Sequence, residues 1–133
     1  MNARQSDPAV TRQFAVEVAR MAASTRCHEV VVLDVRGLSP VTDFFVLASG
    51  TSARQMRTVA QDVEELAGAR DYRPISSHGY EGETWILIDC VDVIVHVFND
   101  DARRFYDLDN LWGDAPRVEW REPAAAAATA TPV

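Results

Sequence analysis

The sequence predicts one α/β domain in which helices pack against a mixed β-sheet. Its 133 residues are 47% hydrophobic and 25% charged, which is enough apolar surface for one core without disulfides or a bound metal. Two long segments carry apolar residues at helical spacing, and four shorter segments are apolar runs of strand length. Such an order is typical of helices layered on a sheet. We place the domain at residues 8–120, between tails at 1–7 and 121–133.

The first helix is predicted over residues 8–24. Asp7 can accept hydrogen bonds from the free N–H groups of a first turn, and Pro8 loses nothing at the first helical position. The apolar stripe that we expect to be buried consists of Val10, Phe14, Val18, Met21 and Ala22.

Residues 30–35 and 44–48 are predicted as two buried strands. Both segments are dense in Val, Leu and Phe, as a strand covered on both faces requires. Gly37 and Pro40 predict the turn between them.

The second helix is predicted to begin after Ser52. Gln55 stands three residues later, which matches a capping box, and Gly68 is expected to end the helix. The apolar stripe between these ends consists of Met56, Val59, Ala60, Val63, Leu66 and Ala67.

The rest of the domain is predicted as a loop, a hairpin and a short helix. Residues 69–83 are rich in polar residues, Gly and Pro, and form a loop with room for a short edge strand. Residues 85–89 and 91–98 are strands separated by almost nothing, which indicates a hairpin. Residues 101–107 favour a short helix. The Ala-rich composition of residues 123–133 predicts disorder.

The charge of the chain favours some partners over others. Thirteen arginines and no lysine stand against 20 acidic residues, so the net charge is -7 and the pI is about 4.8. This balance disfavours nucleic-acid binding and suits docking on a basic protein. No apolar run approaches the roughly 18 residues that a membrane span needs, and the polar N-terminus lacks a signal peptide. We therefore expect a cytoplasmic protein without membrane contact.

No residue pattern predicts a metal site or a cofactor. Cys27 and Cys90 are the only cysteines, they form no CxxC motif, and we expect both to be reduced. The three histidines add no ligand pair at the spacing that a zinc site uses.

A turn after the second strand is the one candidate for enzyme chemistry. Gly50, Thr51 and Ser52 lie where a strand leads into a helix, and N–H groups at such a point can bind phosphate. The turn lacks the Gly-Lys pair of a P-loop and the paired carboxylates that hold metal ions in nucleotidyltransferases. A plain turn followed by a helix cap explains the same residues. An enzyme that uses Ser52 and Asp89 stays an alternative.

Residues 99–115 combine bulky apolar side chains with five aspartates. We expect Phe105 to close the core, whereas Tyr106 and Trp112 fit an interface as well as they fit the core. His96, on the preceding strand, is expected on the face opposite to its two valine neighbours. There it is a packed or contact residue rather than a catalytic base.

Five motifs stand in a characteristic order and spacing, and they are DFFV at 43–46, SGTSxRQ at 49–55, WILID at 85–89, DVIVHVF at 92–98 and RFYxLxxLW at 104–112. Together they resemble the ribosomal silencing factor family, also called RsfS or Iojap, and the resemblance spans about residues 8–118. The resemblance implies a nucleotidyltransferase-like fold that lacks catalytic carboxylates. It also implies binding to ribosomal protein L-fourteen on the large subunit, which blocks joining of the small subunit and lowers translation when nutrients are scarce.

The chain departs from the family pattern at three positions. His78 replaces the Glu of a Glu-Gly pair, Val91 replaces a Gly in the hairpin, and Asp109 replaces a Glu. Because valine suits a positive φ poorly, we expect the hairpin turn to change. Asp109 keeps its charge.

The sequence thus predicts a binding module rather than an enzyme. We expect its partner-binding surface to consist of Trp85, Asp89, His96, Asp101, Tyr106, Asp107, Leu108, Asp109, Leu111 and Trp112. The aromatic residues would supply desolvated contact area, and Asp101, Asp107 and Asp109 would attract a basic partner. The alternatives are the small nucleotidyltransferase-like enzyme and a homodimer of the free protein.

Overall fold

Two long helices cover one face of a six-stranded sheet. The computed structural model describes residues 7–72, 74 and 76–122. The helices are α1, Pro8–Ser24, and α2, Ala53–Ala69, and two short helices follow near the C-terminus, α3, Asp100–Tyr106, and α4, Leu108–Leu111. The predicted tail residues 1–6 and 123–133 lie outside the described residues.

The strands form one mixed sheet, as predicted. They are β1, His28–Asp34; β2, Phe44–Ser49; β3, Ser76–His78; β4, Trp85–Asp89; β5, Val93–Phe98; and β6, Arg117–Val118. Their order across the sheet is β3-β4-β5-β2-β1-β6. β2 runs parallel to β5, and the other pairings are antiparallel. All six residues of the inner strand β2 are buried, as its apolar run predicts.

Helix α1 begins where Asp7 and Pro8 predict. The Asp7 carboxylate accepts the N–H of Ala9 at 3.0 Å. Phe14 is buried and stacks on Tyr72 with 4.5 Å between ring centroids. Val10, which we expected to be buried, is about half exposed, because the Phe14–Tyr72 pair already fills the core at this end.

Helix α2 begins as predicted and ends later. Ser52 Oγ accepts the N–H of Gln55, and the Gln55 side chain accepts the N–H of Thr51 rather than that of Ser52. The prediction that Gly68 ends the helix is wrong. Asp71 has φ 64° and closes a Schellman motif in which the N–H of residue 72 donates to the carbonyl of residue 67.

The hairpin between β4 and β5 keeps a left-handed residue at position 91. Val91 has φ 71°, and the N–H of Asp92 donates to the carbonyl of Cys90 across it, which makes a γ-turn. Val91 thus adopts a positive φ, which a valine side chain suits poorly. The Asp89 carboxylate supports the turn by accepting the N–H of Val91 at 2.9 Å.

Two elements have no counterpart in the sequence prediction. Helix α4 has four residues and β6 has two, and elements this short carry no readable periodicity. The possible edge strand in the loop before β4 is confirmed as β3.

The two sheet faces differ in what covers them. Alternate residues of β5, namely Val93, Val95 and Val97, belong to the core under α1 and α2. Ile94 and Phe98 pack on the other face, beside Trp112 and the buried Ala102 of α3. Cys27 and Cys90 are both buried, and neither forms a disulfide among the described residues.

Candidate functional site

Six rings lie together on the sheet face away from α1 and α2. We call them the aromatic face, and they are Phe45, Trp85, His96, Phe98, Tyr106 and Trp112. Strands β2, β4 and β5 supply four of these rings, because alternate residues of neighbouring strands point to the same side. Helix α3 supplies Tyr106, and Trp112 follows α4.

Trp85 lies at the centre of the aromatic face. Its ring centroid is 4.5 Å from that of Tyr106, 5.0 Å from that of Phe98 and 5.8 Å from that of His96. At the far side, Trp112 meets Phe45 edge to face at 5.2 Å. These contacts join α3 and the residue after α4 to the sheet.

His96 lies below the surface of this face. It is buried, and its Nδ1 accepts the indole N–H of Trp85 at 3.1 Å. Burial, together with the positive charge of Arg103, lowers the pKa of His96 to about 4, so the ring is neutral near pH 7. His96 therefore supports Trp85 from beneath and offers no exposed edge to a partner.

Residues 100–112 form an arm over the edge of the aromatic face. Asn99 caps α3 by accepting the N–H of Ala102 at 2.7 Å. Asp100 and Asp101 stand in the first turn of α3, where the helix dipole favours carboxylates. Asp107, with φ 49° and ψ 49°, turns the chain from α3 into α4.

Arg103 ties this arm to the sheet. Its Nε and Nη2 donate to the two oxygens of Asp109 at 2.8 and 2.9 Å, and its Nη1 donates to Ser49 Oγ at 2.9 Å. The guanidinium holds the pKa of Asp109 below its usual value. Asp109 is thus engaged inside the chain, unlike Asp101 and Asp107, which are exposed.

The outer side of the arm is apolar. Phe105 is 79% exposed, Leu111 is 71% exposed and Tyr106 is 46% exposed. The prediction that Phe105 closes the core is wrong. Tyr106 contacts the sheet, and its neighbour Phe105 therefore points about 100° away around the helix. A helical projection of residues 100–106 would have separated the two rings.

The predicted partner-binding residues fall into three groups. The exposed group is Asp101, Tyr106, Asp107 and Leu111, and the half-buried group is Trp85, Asp89, Leu108, Asp109 and Trp112. His96 alone is buried. Asp89 lies apart from the arm, because it pairs with Ile94 at the start of β5, whereas the arm follows the end of β5.

Two N–H donors of the candidate phosphate turn are engaged within the chain. The N–H of Gly50 donates to the carbonyl of Phe98, and the N–H of Thr51 donates to the Gln55 side chain. Ser52 Oγ serves as the cap of α2. Asp89 lies at the opposite end of the strands, so the residues of the alternative enzyme are not brought together.

One group of side chains has ligand atoms close enough for a cation. Among the described residues it is His28, Glu29 and Asp100, whose ligand atoms lie within 4.8 Å of one another. All three are at the surface, and His28 Nε2 lies 2.6 Å from Asp100 Oδ1. The contact joins the start of β1 to the start of α3.

The described part of the chain contains no helix that is both long and apolar enough to cross a membrane.

Similar proteins share this chain's sequence and fold. The ribosomal silencing factor RsfS of Halalkalibacterium halodurans is 40% identical over 94 residues, which cover 71% of this chain and 80% of that protein. RsfS of Bacillus subtilis is 36% identical with the same coverage. Chloroplastic Iojap of Arabidopsis thaliana is 31% identical over 117 residues, which cover 88% of this chain and 49% of that protein.

Solved structures agree with the sequences. A crystal structure from Chromobacterium violaceum superposes with a TM-score of 0.72 at 27% identity and covers 80% of this chain and 87% of its own. A second, from Bacillus halodurans, gives a TM-score of 0.66 at 36% identity and covers 80% and 94%. The family described as "Ribosomal silencing factor during starvation" matches residues 8–132. With its mixed sheet and aromatic face, the chain belongs to the ribosomal silencing factor (RsfS) family.

Proposed function

We propose that this protein represses translation by binding ribosomal protein L-fourteen on the large subunit and blocking the approach of the small subunit. Membership of the RsfS family makes it a regulator of translation. The observation that supports binding to L-fourteen is the outer side of the arm, where exposed apolar side chains lie beside exposed aspartates. A soluble monomer rarely leaves such a combination without a partner.

The apolar part of this surface suits a protein partner. Phe105, Tyr106 and Leu111 are large and exposed, and aromatic side chains are common anchors in protein interfaces. Trp85 lies directly behind Tyr106 and keeps that ring in place. Tyr106 is therefore held in position before the partner arrives, which reduces the entropy cost of binding.

The charged part of this surface suits a basic partner. Asp101 and Asp107 are exposed, and the whole chain carries a net charge of -7. Ribosomal proteins that contact RNA are basic, and opposite charge speeds association. Nucleic acid itself is a poor partner for so acidic a chain.

Silencing in this proposal is steric, and no catalytic step is involved. Asp89 and Ser52 lie at opposite ends of the strands, and the N–H groups of Gly50 and Thr51 are engaged within the chain. We therefore expect no nucleotide binding in calorimetry with magnesium and nucleoside triphosphates. Heat of binding that is lost in Asp89→Asn would favour the nucleotidyltransferase-like alternative. We also propose that the protein acts in the cytoplasm.

The free protein offers the same apolar surface to a second copy of itself. We propose that free molecules pair through it and that ribosome binding competes with this pairing. Sedimentation equilibrium should show a dimer that Leu111→Asp converts to a monomer. A monomer at every concentration would contradict this part of the proposal.

A subunit-joining assay tests the central proposal. Purified small and large subunits are mixed with the protein in magnesium and separated on a sucrose gradient. We expect the protein to migrate with free large subunits and to reduce the joined fraction. Leu111→Asp should abolish both effects.

Val41→Asp is the matched control for this assay. Val41 is 69% exposed, close to the 71% of Leu111, but it lies in the loop between β1 and β2. It should behave like the parent protein. Equal activity of both variants would show that the binding surface lies elsewhere.

A further inference from the structure

Arg103 is the only buried arginine among the described residues. It is 6% exposed, whereas Arg104, the next residue, is exposed and pairs with Asp101 at the surface. Burying a guanidinium costs solvation energy that good pairing must return. The hydrogen-bond partners of Arg103 must therefore compensate for its burial.

The guanidinium joins three separate parts of the fold. Arg103 belongs to α3, Asp109 belongs to α4, and Ser49 is the last residue of β2. Two parallel N–H bonds reach the Asp109 carboxylate, and a third reaches Ser49 Oγ. The planar fork of arginine matches a carboxylate in two places at once, which fixes direction as well as distance.

Apart from the ring contacts of Tyr106 and Trp112 and the packing of Leu108, few side chains of the arm are packed on the sheet. Helix α4 has no buried residue, and α3 buries only Ala102 and Arg103. Helices of four and seven residues are not stable by themselves. Asp107, between the two helices, has a left-handed backbone conformation that few residues other than glycine adopt readily.

We propose that Arg103 is a positioning residue that sets the angle between α3 and α4 and so aligns Tyr106 with Leu111 for partner binding. This inference rests on the proposed function. In this proposal Asp109 acts by holding Arg103 in place and not by attracting the partner. The Arg103–Asp109 pair thus separates Asp109 from the exposed aspartates with which the sequence grouped it.

Substitutions at Asp109 test this role. Asp109→Asn removes the charge that Arg103 needs, and we expect affinity for free large subunits to fall by about tenfold or more. Asp109→Glu keeps a carboxylate and should restore affinity to within about threefold of the parent. Arg103→Lys should behave like Asp109→Asn, because one ammonium cannot make the three bonds.

A second variant keeps the test valid if a lone buried charge unfolds the chain. The double variant Arg103→Met with Asp109→Leu replaces the ion pair by apolar groups, an exchange that commonly preserves stability. We expect it to melt near the parent temperature and still to bind about tenfold more weakly. Parent-like affinity in this folded double variant would overturn the proposal.

Amide hydrogen exchange gives a readout that needs no ribosome. The N–H groups of Leu111 and Trp112 donate to carbonyls of residues 107 and 108 and report on α4. In Asp109→Asn they should exchange at least about tenfold faster, while amides of α2 stay unchanged. Unchanged exchange at Leu111 and Trp112 would also overturn the proposal.

Glu65→Gln is the charge-matched control. Glu65 is an exposed carboxylate on α2, which covers the opposite face of the sheet. It should leave binding and exchange as in the parent. If the parent protein does not bind large subunits at all, the proposed function fails, and exchange alone then decides the role of Arg103.

Discussion

Trp85 donates its indole N–H to Nδ1 of His96 at 3.1 Å, across the antiparallel pair of β4 and β5. Because Nδ1 is the acceptor, the single proton of the neutral ring lies on Nε2. Nε2 is buried and has no hydrogen-bond partner among the described residues. A second proton would go to Nδ1, where it would break the hydrogen bond from Trp85 and add a buried positive charge near Arg103.

His96 should make stability depend on pH. Burial lowers its pKa to about 4 in the folded protein, whereas an unfolded histidine has a pKa of about 6.5. Between these two pKa values, His96 binds a proton in the unfolded chain but stays neutral in the folded protein. Stability is therefore expected to fall as pH falls through this window, by about 2 kcal/mol between pH 7 and pH 5.

Urea unfolding of the parent and of His96→Gln at several pH values measures this effect. The variant lacks the titrating ring, so its loss between pH 7 and pH 5 should be smaller by about the same 2 kcal/mol. Parallel pH curves for the two proteins would show that His96 is not the cause.

Val91→Gly should stabilise the protein. Val91 has φ 71°, and a left-handed conformation costs a non-glycine residue about 1–2 kcal/mol. The gain is reduced because glycine loses more backbone entropy on folding, so we expect about 1 kcal/mol from thermal unfolding. Val91→Ala keeps Cβ and should gain less. A melting temperature of the glycine variant at or below that of the alanine variant would contradict the strain.

Tyr106→Ala and Leu111→Ala should weaken partner binding without unfolding the chain. Both side chains are substantially exposed, so their truncation costs little core packing. As anchors in an interface each is expected to contribute about 2 kcal/mol, mainly by slowing dissociation. Surface plasmon resonance against purified L-fourteen gives the rates, with circular dichroism as the check on folding. Parent-like dissociation rates would place the interface elsewhere.

Trp85→Ala should combine a binding loss with a stability loss. Trp85 is half-buried and contacts Tyr106, Phe98 and His96, so its removal leaves a cavity under the arm. We expect a cost of about 3 kcal/mol in unfolding free energy, and weaker binding in the same protein. An unchanged melting temperature would mean that the aromatic face is not packed as described.

Asp101→Asn with Asp107→Asn should slow association with a basic partner. Both carboxylates are exposed, and their field reaches the partner only over the screening length, which is about 10 Å at 0.1 M salt. The association rate should fall at low salt and approach the parent rate at high salt. An equal association rate at low salt would rule out electrostatic attraction by this pair.

Local signals in the sequence determined the main elements. Asp7 with Pro8 began α1, Ser52 with Gln55 began α2, and the apolar runs became β1, β2, β4 and β5. These signals succeed because capping and periodicity depend on neighbours within one turn or one strand. Gly68 was a false signal for the end of α2, because Asp71 adopts the positive φ that closes the Schellman motif.

Tertiary structure alone decided which residues of the site are available. The sequence predicted Phe105 in the core and grouped Asp109 with Asp101 and Asp107, but Phe105 is exposed and Asp109 pairs with the buried Arg103. The tertiary structure also places His96 beneath Trp85 and Asp89 away from the arm. Exposure and pairing depend on contacts between residues distant in the chain. The sequence by itself therefore determined the elements and the family resemblance, whereas the surface was set by how α3 and α4 lie on the sheet.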